Sequence, residues 1–245
     1  MIGIVIPAHN EERLIATCLG AARTAAEHPA LQGEPVEIVV VLDDCSDATG
    51  VLAAAGGALT VSIRGRNVGM ARAVGAQVLL ARGARWLAFT DADTVVSAKW
   101  LAHQLAVQAD VVCGTVCVHD WSPHGCNAEL LRAHFQQTYF DCEGHRHVHG
   151  ANLGVSAEAY RSVGGFRHLA CGEDAALVAA LVAALVAALA AAGHRVAWSS
   201  LPRVVTSARV DSRAPGGFAG ALLNAVAQRL AQAVVAPVRG TSAMT

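Results

Sequence analysis

Apolar residues gather in short runs along the first half of the chain: Ile2 to Ile6, Val36 to Leu42, Leu59 to Ile63, Arg85 to Thr90 and Asp110 to Val116. Most are β-branched or aliphatic almost throughout, the pattern of strands buried on both faces. Pro7 is predicted to break the first. Between the runs the period changes. Leu14, Ile15, Cys18, Leu19 and Ala22 recur at helical spacing, with Asn10 as the expected cap and acids in the first turn. A second helix is predicted from about Met70 to Arg82, with Arg72 in its first turn. Strands alternating with helices of this length predict an α/β architecture: a Rossmann-like, doubly wound, mainly parallel sheet flanked by helices, in one domain.

Two of these runs end in acids. Val36 to Leu42 runs into Asp43-Asp44-Cys45-Ser46-Asp47, and the stretch from Trp86 runs into Asp91-Ala92-Asp93. Open α/β sheets take their ligands at the carboxyl ends of the strands. In an extended segment Asp91 and Asp93 share one side, around an alanine too small to block a ligand. Two hard oxygen donors suit Mg²⁺ or Mn²⁺ carrying a diphosphate. An isolated Asp-x-Asp is more often a turn, so the weight falls on what surrounds it. The loop Arg64-Gly-Arg66-Asn67-Val-Gly69 has glycines that admit close backbone approach.

Composition narrows the function. The 245 residues are 54% hydrophobic, but much of that is alanine, and aromatics are only 4%. Net charge is -1 with no Lys/Arg block, so nucleic acid is an unfavoured partner. Seven scattered cysteines fit reduced thiols better than a disulfide framework, and Cys113 with Cys117 lacks the further ligands a zinc site needs. The start at Ile2 reads as a strand rather than a signal peptide. A cytoplasmic protein is expected.

Beyond His119 the pattern is irregular. Residues to His149 hold Trp121, several histidines and a predicted helix from about Glu129 to Asp141, the place for substrate-facing insertions. His149-Gly150-Ala-Asn152, Val163-Gly-Gly-Phe166 and Gly172-Glu173-Asp174 follow, with small residues bending each polar cluster toward a ligand. From Leu177 the unit Leu-Val-Ala-Ala occurs three times within an apolar segment from Ala175 to Ala192. A four-residue repeat drifts about 40° per unit on a helix, so its stripe winds around the helix. Its length approaches a membrane span, but alanine gains little in lipid and no positive flank or aromatic belt accompanies it.

Pro7-Ala8-His9-Asn10-Glu11, Asp43-Asp44, Asn67-Val-Gly69, Asp91-Ala92-Asp93, the stretch from Gly150-Ala-Asn152 to Phe166, and Glu173-Asp174 together resemble, in order, the family 2 glycosyltransferases of GT-A fold. The resemblance implies a metal-dependent inverting transfer of one sugar from a nucleotide-diphosphate sugar to a small-molecule or lipid-linked hydroxyl acceptor. By the same resemblance Asp174 is the base, Glu173 contacts the acceptor, Asp44 reads the nucleobase and Pro7 to Glu11 flank base and ribose. Asp93, with or without Asp91, holds Mn²⁺ or Mg²⁺; Asp91 and Ala92 otherwise lie along the donor. Arg66 and Arg72 could approach the diphosphate, although either could be a surface charge, and Asp43 or Asp47 could cap the next helix.

His147, His149, Gly150 and Asn152 are assigned to the acceptor pocket. The late metal-binding histidine of many relatives is missing between Trp198 and Arg213, so water or a hydroxyl from Thr206-Ser207, or charge sharing by Arg209 and Arg213, is expected there, with His147, His149 and His194 as other candidates. The helix after Asp174 is about two turns longer than usual in the family. The expected division is a glycosyltransferase domain over 1–213, with a nucleotide part to about 115 and an acceptor part from 116, then a C-terminal helix and tail over 214–245. Peripheral contact with the inner membrane face and a homodimer stay open. The alternatives are a non-catalytic nucleotide-sugar-binding or docking module and a nucleotidyltransferase.

Overall fold

A computed structural model describes residues 1–166 and 194–209. The predicted Leu-Val-Ala-Ala helix, the Glu173-Asp174 pair, Arg213 and the C-terminal helix lie outside the described residues. Eight strands form one sheet: β1 (Ile2–Ala8), β2 (Val36–Asp43), β3 (Leu59–Ile63), β4 (Trp86–Phe89), β5 (Thr94–Val96), β6 (Val111–Cys117), β7 (Leu153–Ser156) and β8 (Val196–Thr206). Their order is β3-β2-β1-β4-β7-β6-β8-β5. The four predicted strands at one end run parallel, β3 on β2, β2 on β1 and β1 on β4. The other half is mixed, since β7 lies antiparallel to both β4 and β6 while β6 and β8 are parallel.

The helices are α1 (Ile15–Ala26), α2 (Thr49–Ala55), α3 (Val68–Ala81), α4 (Trp100–Ala106), α5 (Ala128–Thr138) and α6 (Ala157–Ser162). A core of Val5, Val39, Val41, Leu79, Leu87, Phe89, Leu153 and Val155 joins the central strands to α3. Every one of these side chains is fully buried, which accounts for the unbroken apolar runs. Among the described residues, 1–119 with 140–166 and 194–207 belong to one compact unit, and Asp120–Tyr139 with Ala208 and Arg209 belong to a second. In the second unit α5 follows a short 3₁₀ segment, and Trp121, Phe135 and Tyr139 pack ring on ring. No helix among the described residues is long and apolar enough to cross a membrane.

Two local expectations are corrected. Pro7 does not end β1; it pairs with Val41 inside the strand. The carbonyl of Val5 faces β4, where Thr90 donates to it, and by strand alternation Pro7 turns its absent N–H to that same side. β4 has already left β1 there, because their pairing stops at Val5 and Phe89. Asn10 does not cap α1, which begins at Ile15 with no acid in its first turn. It adopts a left-handed conformation (φ 54°) and accepts instead from the Ser46 amide at 2.8 Å.

Candidate active site

Since β2, β1 and β4 are parallel neighbours, Asp43-Asp44, Ala8 to Glu11 and Asp91 to Asp93 all emerge from one edge of the sheet. Their loops are laced together by backbone and side chain. Glu11 N donates to Thr49 Oγ1 at 2.7 Å, Glu12 N to Asp47 Oδ2 at 3.1 Å, and Ala48 N to Glu12 Oε2 at 3.1 Å. The Cys45 thiol donates to the Ala8 carbonyl and receives the Asn10 amide. Cys45 was not singled out from the sequence; its place between two acids and a serine gave no periodic signal.

Asp43 and Asp44 divide their work. Asp43 is buried, and its carboxylate accepts from the amides of Gly65, Arg66 and Asn67 at 2.8, 2.8 and 2.7 Å. It shapes the β3–α3 loop and does not cap a helix; Asp47 bonds the Thr49 amide at 3.0 Å instead. Asn67 caps α3 by accepting from Met70 N at 2.8 Å, which leads directly to Gly69 in the first turn. Asp44 is half-exposed, left-handed at φ 55°, and paired with Arg66 Nε at 2.9 Å. Arg66 Nη2 also lies 3.2 Å from His9 Nε2, whose Nδ1 is 2.6 Å from the Asp43 carbonyl.

The two acids at the β4 tip differ as well. Asp91 Oδ1 accepts from Arg72 Nη2 at 2.6 Å. Arg72, open between an approach to the diphosphate and a surface charge, has a side chain only 4% exposed. The guanidinium lies over the Phe166 ring, 5.8 Å from its centroid, and against Gly150, where an added Cβ would come within 2.1 Å of Nη2. A side chain at position 150 would have to displace that guanidinium. Asp93, half-buried, accepts from Ser207 Oγ at 2.6 Å. Ser207 stands in the segment from which a hydroxyl was expected. Beneath both acids lies Cys18, which donates to the Asp91 carbonyl at 3.4 Å. Burial pushes its thiol up to about 12, with the charges of Asp93 and Asp91 adding to the effect.

The residues assigned to an acceptor pocket do not share one environment. Asn152 is fully buried, with Oδ1 accepting from Trp100 Nε1 at 2.9 Å and Nδ2 donating to the carbonyls of Thr115 and Pro202 at 2.8 and 2.7 Å. Its amide joins α4, β6 and β8, and a Cβ on Gly114 would meet Nδ2 at 2.2 Å. Asn152→Leu should leave three buried polar groups without a partner, each costing about 1–3 kcal/mol. Urea unfolding should show a loss of about 3 kcal/mol or more, and a smaller loss than about 1 kcal/mol would remove the structural role.

His145, His147 and His149 alternate along an extended segment and stack, with ring centroids 5.5 and 6.0 Å apart. His149 keeps part of its surface exposed, yet its surroundings are dense enough that burial pushes it down to about 4. The neighbouring His147 and His145 push the same way, against Asp91. It is a neutral imidazole near the acid pair at ordinary pH. His194 lies 3.6 Å from Asp110, away from that cluster.

Among the described residues no group of three His, Cys, Asp or Glu is gathered for a cation. The donors present still suit a divalent ion of the Mg²⁺ type, which takes one or two carboxylates, substrate phosphates and water. Asp93, a half-buried carboxylate at a strand end beside a hydroxyl, fits that mode.

The fold is shared with glycosyltransferases of known structure. TarS residues 1–349 from S. aureus, in complex with UDP-GlcNAc, align at a TM-score of 0.61 and 13% identity, over 94% of this chain and 66% of that one. The chain spans 36% of the longer TarS structure. The mannosyltransferase PcManGT from Pyrobaculum calidifontis, in complex with GDP-Man and Mn²⁺, aligns at 0.57 and 18% identity, over 96% and 64%. Glucosyl-3-phosphoglycerate synthase from Mycobacterium tuberculosis, with Mn²⁺ and UDP-glucose, aligns at 0.52 and 18%, over 98% and 81%. These likenesses carry the GT-A fold alone. No curated protein sequence matches the chain. The profile of glycosyl transferase family 2 matches residues 3–164, well over half the sequence, and the chain belongs to that family.

Proposed function

We propose that this chain is a metal-dependent, inverting glycosyltransferase that moves one sugar from a nucleotide-diphosphate sugar to a hydroxyl acceptor. The observation that carries the reading is the unequal treatment of the two acids at the β4 tip: Asp91 is tied to a buried arginine, and Asp93 stands beside a hydroxyl. One is then a rigid wall of the donor site, and the other is the cation's carboxylate. Family membership and the nucleotide sugars held by TarS, PcManGT and the mycobacterial synthase support the donor class.

In this reading Asp44 and Arg66 meet the nucleobase, His9 with the Pro7 to Glu11 loop borders base and ribose, and Gly69 at the start of α3 lets backbone approach the donor. Asp91, with its charge offset by Arg72, is assigned to the donor's ribose or sugar rather than to the ion. When bound, Mn²⁺ or Mg²⁺ supplies Lewis-acid neutralisation of the leaving diphosphate. The chain's part is to hold donor and acceptor in line and to take the acceptor proton at Asp174. His149 and His147 border the acceptor.

A thermal-shift panel of UDP, GDP and their sugar conjugates, with and without Mn²⁺, tests this. A cognate nucleotide at a hundred times its Kd should stabilise the fold by about 2.7 kcal/mol, a rise of roughly 5–10 °C, and only with the metal present. Stabilisation of equal size without Mn²⁺ would sink the metal dependence, and none with any nucleotide would sink the donor class.

A further inference from the structure

β5 and β8 are antiparallel, and their register sets Thr94 opposite Thr206, with the two hydroxyls 3.0 Å apart. One step outward along both strands, Asp93 meets Ser207, and Ser207 Oγ donates to Asp93 Oδ2 at 2.6 Å. The Thr94 hydroxyl lies 3.4 Å from the other carboxylate oxygen, Oδ1. β8 is itself anchored at Pro202, whose carbonyl takes the buried Asn152 amide. The Ser207 hydroxyl is thus presented by an element tied into the core.

We propose that Ser207 is a positioning residue for Asp93: its hydroxyl fixes the plane of the carboxylate that receives the divalent cation. The proposal rests on the metal reading above. An aspartate on a half-exposed strand tip has rotamer freedom that cation binding would have to remove. An O–H···O⁻ contact of 2.6 Å is in the charge-assisted range, stronger than a neutral hydrogen bond, and it orders the carboxylate beforehand. Carboxylates that ligate metals are themselves hydrogen-bonded, and loss of such a partner costs about 10–100-fold in metal affinity. If Ser207 merely ended β8, its removal would move stability and leave the affinity alone.

The test titrates Mn²⁺ into the full chain and follows the free-ion EPR signal, in separate arms with UDP, GDP and inorganic pyrophosphate. Ser207→Ala should weaken Mn²⁺ binding by about 10–100-fold with an unchanged melting temperature. Ser207→Thr, which keeps the hydroxyl, should bind nearly as the parent does. Parent-like affinity in Ser207→Ala, with Asp93→Ala still losing the ion, overturns the positioning role alone. Parent-like affinity in Asp93→Ala as well overturns the metal reading and the proposal with it. Failure of Ser207→Thr to restore binding also counts against it, because the effect would then follow side-chain shape rather than the hydrogen bond.

Discussion

Asp93→Ala is expected to abolish Mn²⁺-dependent binding of a nucleoside diphosphate and to lower sugar transfer by roughly 10³-fold, the equivalent of several kcal/mol of lost charge stabilisation. Its fold should be little affected, because Asp93 is only half-buried and the hydroxyls of Ser207 and Thr94 that meet its carboxylate can turn to water. The neighbouring acid should behave in the opposite way. Asp91→Ala removes a carboxylate from an arginine whose side chain is 4% exposed, and taking away one member of a buried pair costs stability because the remaining charge is less well compensated. A stability loss of about 2–4 kcal/mol is expected, the lower end applying because Asp91 itself is partly exposed. Calorimetric titration with Mn²⁺ and UDP or GDP, run beside thermal unfolding of both variants, separates the two. Equal effects on binding and stability from the two substitutions would defeat the division of labour proposed for them.

That division was only partly visible in the sequence. Runs such as Val36 to Leu42 announce themselves because both faces of β2 are covered, so nearly every position must be apolar. β5 and β7 escaped notice: β5 has three residues and β7 four with a glycine among them, so neither makes the unbroken apolar run that marks β4. The same limit hid the mixed half of the sheet, since β7 takes its direction from pairing with strands far away in sequence.

The site divides along the same line. Asp43-Asp44 and Asp91-Ala92-Asp93 were legible as the ends of strands, whereas partnerships across the chain were not. Arg72 stayed open between an approach to the diphosphate and a surface charge because Asp91, which it bonds, comes 19 residues later and Gly150, against which it packs, later still. Asn152 looked like a polar residue at a ligand for a related reason, with its partners on α4, β6 and β8. Asn10, an ordinary cap by local rules, is claimed by Ser46 on the next βα loop. Local pattern locates the edge of the sheet, and long-range hydrogen bonds decide which polar residues there are left to meet a substrate.

The base assignment carries the second large effect. Asp174→Asn should cut turnover by roughly 10² or more while leaving Mn²⁺-dependent donor binding within about twofold, since the substitution keeps size and polarity and removes the proton acceptor. Inversion by direct displacement needs a base on the acceptor side, opposite the leaving diphosphate. The four aspartates at the ends of β2 and β4 are committed elsewhere: Asp43 to three amides, Asp44 to Arg66, Asp91 to Arg72, and Asp93 to Ser207 and the proposed ion. Glu173 and Asp174 are the next carboxylates along the chain after Glu158. The decisive measurement is a split between kcat and donor affinity. If kcat is unchanged in Asp174→Asn, the proton goes to another group and Asp174 loses its role. If donor affinity and kcat fall together, Asp174 contributes to holding the donor, and the base must be sought among residues that affect kcat alone.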